Sequence, residues 1–162
     1  MQTGKILVAK HQGTSVIKLV GDVRLTLCTT IDDYFNEMFS SSAIDGVMID
    51  LSEAEGVDST SLGLLAKLAI QAKQRYQLVP IILSPNPNIT RLLDSMGFNQ
   101  VFDIHQDLND QQCDNLGELP LKSTDEACCR SKVIEAHRTL MNLNDTNRET
   151  FSELVNALEA AS

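Results

Sequence analysis

The chain has 162 residues, 43% apolar and 22% charged, which suits one ordinary domain with material for a core. A formal net charge of −9 argues against nucleic acid and anionic membranes as ligands, because phosphate-driven binding needs clustered Lys and Arg; basic or helical protein partners remain open. No apolar run approaches the ~20 residues that span a bilayer, and residues 1–8 (MQTGKILV) lack the apolar run of a signal peptide, so a cytoplasmic protein is expected.

Residues 5–10 (KILVAK) and 14–20 (TSVIKLV) are short β-branched runs joined through Gln12 and Gly13, the pattern of a hairpin. Gly21 and Asp22 end the second run. Residues 29–39 predict a helix: Thr29 or Thr30 caps it, acids occupy its first turn, and Ile31, Tyr34, Phe35 and Met38 share a face. Residues 46–51 (GVMIDL) read as a strand covered on both faces. A short acidic loop follows, and then the most regular helix, in which Leu62, Leu65, Ala69, Ala72 and Tyr76 form one stripe. Residues 78–83 (LVPIIL) read as a further buried strand, with Pro80 removing a backbone donor. Ile89, Leu92, Leu93 and Met96 make a short helix ended by Gly97, and residues 98–104 supply a last short element.

Helices alternating with strands imply a largely parallel sheet, so residues 1–106 are expected to form one α/β domain. Residues 107–123 turn polar and read as a linker. Residues 124–162 carry two helical patterns: one places Cys129, Val133, Ala136, His137, Leu140 and Met141 near one face, the other Phe151, Leu154, Val155 and Leu158. This tail is the more acidic part, with 5 Lys/Arg against 11 Asp/Glu from residue 107 onward, compared with 8 against 11 before it. A hairpin of two such short helices is marginal alone, so it is expected to dock on the sheet domain, a second copy or a partner.

The stretch 47–65 (VMIDLSEAEGVDSTSLGLL) is where chemistry can sit. A buried strand ends, and Asp58 and Ser59 open a helix at the carboxyl end of the sheet, where α/β folds meet their ligands. Unpaired N–H groups and the partial positive charge of a helix start accommodate a phosphate on Ser59 or Thr60, which changes the surface without refolding the chain. The plain alternative is that Ser59 is an N-cap.

Asp50, Glu53 and Glu55 lack the spacing of an EF-hand and read as a solvated acidic rim, so no metal is expected. Cys28, Cys113, Cys128 and Cys129 show no CxxC spacing. The adjacent pair Cys128 and Cys129 reads as an ordinary helix-face feature, and His137 as a packed histidine. A hydrolase with Ser59 as nucleophile would need a base, an oxyanion site and a G-x-S-x-G elbow. V-D-S-T-S is none of these, so no enzyme is expected.

The D-S-T-S-L-G-L-L segment, the element order, Gly21-Asp22 after the second strand and the late R-L-L-D-S-M-G-F together resemble STAS-domain anti-sigma-factor antagonists over about residues 5–105. The resemblance implies a STAS-like mixed, largely parallel sheet with helices packed on it, followed here by an extra C-terminal helical hairpin. It implies a phospho-switch binding protein without a cofactor, with Ser59 as the acceptor and Thr60 and Ser61 as alternative hydroxyls. Asp22, Asp58, Ser59, Thr60, Ser61 and Leu62 would form the partner-facing surface. The partners implied are an anti-sigma factor with serine kinase activity and a PPM-type phosphatase. The family's Gly two residues after the acceptor is Ser61 here, a departure that bears on how closely a kinase approaches. A second reading is an unphosphorylated scaffold or sensor acting through its helical tail, for instance as a homo-oligomer.

Overall fold

The structure is a computed structural model and describes residues 3–40, 44–107, 116–123 and 125–161. The two N-terminal runs pair as expected: β1 (Lys5–His11) and β2 (Thr14–Val23) are antiparallel, with Ile6 opposite Leu19 and Val8 opposite Ile17. Their turn places Gln12 at φ 51° and Gly13 at φ 84°, the left-handed pair that matches the twist of a two-residue hairpin. From β2 the sheet grows by parallel pairing through β3 (Gly46–Asp50), β5 (Ile81–Leu83) and β6 (Asp103–His105).

Two strands were not foreseen. β4 (Ala54–Val57) lies in the stretch expected to be an acidic loop and pairs in parallel with the end of β2, Gly21 to Val23, with a shift of register between Gly21 and Asp22. β7 (Gly117–Glu118) pairs with β1 at the opposite edge, giving the order β6-β5-β3-β2-β1-β7 with β4 attached to β2. β7 belongs to the stretch expected to be a linker. Residues 108–115 of that stretch, Cys113 included, lie outside the described residues, but its second half runs along the domain. Leu119 N–H donates to the Ile6 carbonyl at 2.9 Å, and Lys122 N–H to Thr30 Oγ1 at 2.8 Å. That hydroxyl therefore does not cap a helix; a 3-10 turn at Leu25–Leu27 leads into α1 (Cys28–Ser40) instead.

α1 and α2 (Ser59–Tyr76) contribute Ile31, Phe35, Leu62, Leu65, Leu68 and Ala69 to the core formed with Ile17, Leu19, Ile49, Leu51 and Ile82 of the strands and the residue after β3. β5 begins after Pro80, later than the apolar run suggests, because Pro80 has no N–H to give the ladder. α3 (Pro87–Ser95) starts from an Asn86 cap, and Gly97 follows it at φ 85°.

The tail forms α4 (Glu126–Met141) and α5 (Asp145–Ala160), and both pack on the domain. Asn147 anchors the hairpin's turn: its buried amide donates to the carbonyls of Met96 and Leu140, both at 2.8 Å. Phe151 and Leu140 join the main core. α4 lies directly along α2, and the contact is close because α2 has no side chain at Gly63. A Cβ there would overlap the Ala136 carbonyl and stand 2.6 Å from the Ala136 Cβ.

A polar latch lies beside this contact. Asp32 of α1 is buried, and its carboxylate accepts from Lys132 of α4 at 2.6 Å and from Lys67 of α2 at 3.2 Å; Lys67 also pairs with Glu135 of α4. Burial alone would raise the Asp32 pKa, but the Lys132 hydrogen bond and the Lys67 charge outweigh it and hold it below the usual carboxylate value. Lys67 and Lys132 are correspondingly raised: burial works against their charge, and Glu135 and Asp32 respectively overcome it.

Candidate functional site

The site begins where β4 hands over to α2. Asp58 is the N-cap in extended conformation, and both its carboxylate oxygens are committed. Oδ1 accepts the Ser61 N–H at 2.8 Å, Oδ2 accepts the Leu25 N–H at 2.7 Å, and the Asp58 N–H donates to the Val23 carbonyl at 3.0 Å. Asp58 therefore ties the end of β2, the turn before α1 and the start of α2 into one joint. The plain reading of Ser59 as a cap is corrected: Asp58 takes that role, and Ser59 is the first helical residue, with its hydroxyl released from capping.

That hydroxyl has another partner. Ser59 Oγ lies 2.8 Å from Nε2 of His137 on α4. The other ring nitrogen, Nδ1, is 2.7 Å from the Val133 carbonyl oxygen, which only accepts, so Nδ1 carries a proton. In the neutral ring Nε2 is then the acceptor, and the Ser59 hydroxyl donates to it. His137 is 2% exposed, and its ring meets Phe151 edge-on at 4.9 Å between centroids. It is a packed histidine, as the α4 pattern suggests, but what it packs against is the candidate site. Ser59 itself is half-buried.

Asp22, Asp58 and Ser59 come together at one end of the sheet. Gly21 at φ 78° and the bulge after it carry Asp22 to the edge, where it pairs with Arg24 and lies opposite Gly56 of β4. Thr60, Ser61 and Leu62, expected on a partner-facing surface, instead point inward and are buried, with 6%, 1% and 1% exposure. All three are buried in the first turn of α2, so neither Thr60 nor Ser61 offers an accessible hydroxyl in this fold. The Gly-to-Ser departure at position 61 is likewise turned inward: Ser61 Oγ sits 3.8 Å from Cys28 Sγ, beneath the site surface. Burial pushes the Cys28 thiol up to about 12.

A serine hydroxyl on an imidazole that a carbonyl orients has the hydrogen-bond pattern of a nucleophile and its base. The ring itself is buried, with Phe151 packed edge-on with it and Ser59 of α2 on its Nε2. A surface cavity of about 490 Å³ lies elsewhere, along the outer side of α4 between Ala127, Arg130, Ile134 and Arg138. Among the described residues no cluster of three or more His, Cys, Asp or Glu side chains is placed to hold a metal ion. Asp50 instead caps the turn at Ser52, and Glu53 pairs with Lys18. No helix of the described residues is long and apolar enough to cross a membrane.

The contact of His137 with Ser59, the close approach at Gly63 and the Asp32–Lys132 pair escaped sequence reasoning. Their partners lie on other elements, and only the small residue at Gly63 hinted at a close helix approach.

Comparison with known proteins bears on this geometry. Among curated proteins none matches the chain. Among solved structures, an anti-sigma factor antagonist from Mycobacterium paratuberculosis is similar at a TM-score of 0.55 and 21% identity, covering 67% of this chain and 90% of its own. The anti-sigma factor antagonist SpoIIAA in its unphosphorylated form is similar at 0.53 and 16% identity, covering 65% and 91%. Both share the fold, and each covers about two thirds of this chain. The STAS domain family model matches residues 5–111, from β1 past β6, and with the sheet order and the β4–α2 joint described above this chain belongs to the STAS domain family.

Proposed function

We propose that this chain is an anti-sigma-factor antagonist that works as a phospho-switch, with Ser59 as the acceptor. The observation that carries the reading is the division of labour at the start of α2: Asp58 supplies the cap, and the adjacent Ser59 keeps a hydroxyl at the positive end of the helix. A phosphate there adds about −1.5 to −2 charge next to Asp58 and Asp22, enough to change which protein docks while the sheet stays folded. In this reading the unmodified form binds an anti-sigma factor with serine kinase activity, phosphorylation releases it, and a PPM-type phosphatase resets the cycle. The protein acts by binding, in a reducing cytoplasm, and needs no cofactor.

The test is a pull-down with Ser59→Ala and Ser59→Asp baits, together with phosphosite mapping on protein from its native host. Ser59→Ala should retain the kinase partner and Ser59→Asp lose it. A phosphate located at a residue other than Ser59, or identical partner sets for both baits, refutes the reading.

One observation favours the alternative, an unphosphorylated scaffold or sensor whose tail does the work: the Ser59 hydroxyl is already engaged by His137. Native protein that never carries phosphate at residues 59–61 supports that alternative. The apolar face of α4 is spent on α2 of the same chain, so a tail-mediated oligomer would have to use another surface.

A further inference from the structure

We propose that α4 is an intramolecular cover over the Ser59 face of α2, and that a phosphoryl group on Ser59 and docking of α4 exclude one another. This rests on Ser59 being the acceptor, as proposed above.

Ser59 Oγ and His137 Nε2 are already at hydrogen-bonding distance, 2.8 Å, with no gap between them. Phosphorylation inserts a phosphorus and its oxygens into that space and removes the only proton the hydroxyl had to donate. In the neutral ring, whose proton is on Nδ1, acceptor oxygens then face an acceptor nitrogen. The ring cannot swing aside, because its Nδ1–H is held by the Val133 carbonyl and Phe151 packs edge-on with it. Nor can Asp58 turn away from the new charge, since both its oxygens hold backbone N–H groups.

Relief must come from movement of α4 as a body. The helix backbones touch at Gly63 and Ala136, so a displacement at His137 is felt one turn further along. Departure of α4 would break the Lys132–Asp32 and Glu135–Lys67 pairs and uncover Gly63, Leu64 and Cys28. The same contact restrains phosphorylation itself: a kinase reaches the Ser59 hydroxyl engaged by His137 only in molecules whose α4 has lifted. The tail thus sets how readily the switch is thrown.

The test uses the full chain with phosphoserine incorporated genetically at position 59, compared with unmodified protein by hydrogen–deuterium exchange. Amides of α4 should exchange at least roughly tenfold faster in the phosphorylated protein, while those of β2 and β3 keep their protection. The Ser59→Ala chain, which loses the donor but gains neither bulk nor charge, should keep α4 protected. Unchanged or increased protection of α4 with phosphoserine overturns the proposal, because the phosphate would then be pairing with a protonated His137 in place. Equal opening of α4 in Ser59→Ala also overturns it, as does loss of protection throughout the sheet. Because the phosphate is installed without a kinase, these outcomes are separate from phosphosite mapping on native protein, which alone decides whether Ser59 is the natural acceptor.

Discussion

Replacing Asp32 by Asn tests whether α4 is held by the charged latch or only by its apolar face. The carboxylate accepts from Lys132 at 2.6 Å and from Lys67 at 3.2 Å, and hydrogen bonds to charged groups contribute about 1.5–3 kcal/mol each. The asparagine oxygen keeps one of these bonds in weakened form. Its amide presents a donor to the other ammonium. Removing one partner of a fully buried ion pair costs about 3–5 kcal/mol, but the lysine side chains here retain 23% and 15% exposure and partly resolvate. Lys67 also keeps Glu135. The expected loss is therefore about 2 kcal/mol, which at a urea dependence of about 2 kcal/mol per molar lowers the unfolding midpoint by about 1 M. Urea titration followed by circular dichroism measures it. A double-mutant cycle with Lys132→Met should give a coupling of about 1–2 kcal/mol. A midpoint within about 0.25 M of the parent, or no coupling, would show that the latch is ornamental to docking and that the reasoning from its geometry is wrong.

The same latch predicts a pH dependence. The Asp32 pKa is lowered on folding, so its contribution is present above the ordinary carboxylate range and lost as pH falls through the lowered value. The Lys67 and Lys132 values are raised, so their contribution persists below the ordinary lysine range and is lost only as pH rises through the raised values. Thermal midpoints should be flat through neutral pH and fall in acid, with a shallower acid limb in Asp32→Asn; identical limbs would contradict this. Phe151→Ala removes an aromatic ring from the core and from the His137 edge contact, and should cost about 3–5 kcal/mol in urea unfolding. A cost below about 1 kcal/mol would mean that α5 does not hold α4 in place. With its pKa at about 12 from burial, Cys28 should resist alkylation at pH 8 until the chain unfolds, whereas exposed Cys128 reacts. Peptide mapping that finds native Cys28 labelled as fast as Cys128 would contradict the packing beneath Ser61.

What the sequence could convey follows the range of the forces involved. Periodicity is local, so the α2 stripe from Leu62 to Tyr76 and the buried runs of β2 and β3 could be read directly, and with them the core and the element order. β4 was opaque because Ala54–Val57 contains a glycine and a glutamate and is a strand only by virtue of its neighbour, the end of β2. The position of Ser59 could be read as well, since a strand end followed by Asp-Ser and a helical stripe is a local pattern. Its hydrogen-bond partner could not: His137 is 78 residues away, and nothing in the α4 pattern says which surface its apolar side meets. The inward turn of Thr60, Ser61 and Leu62 was hidden for a related reason. Cap residues are recognised by type, but Asp, Ser and Thr are all good caps, and the Leu25 N–H across the joint favours Asp58, with Thr60, Ser61 and Leu62 then turned inward. That choice leaves Ser59 as the one hydroxyl of the three directed at the tail rather than into the domain. Its environment is therefore decided by α4, an element outside the matched domain, so the chemistry of this STAS site depends on residues that the domain itself does not contain.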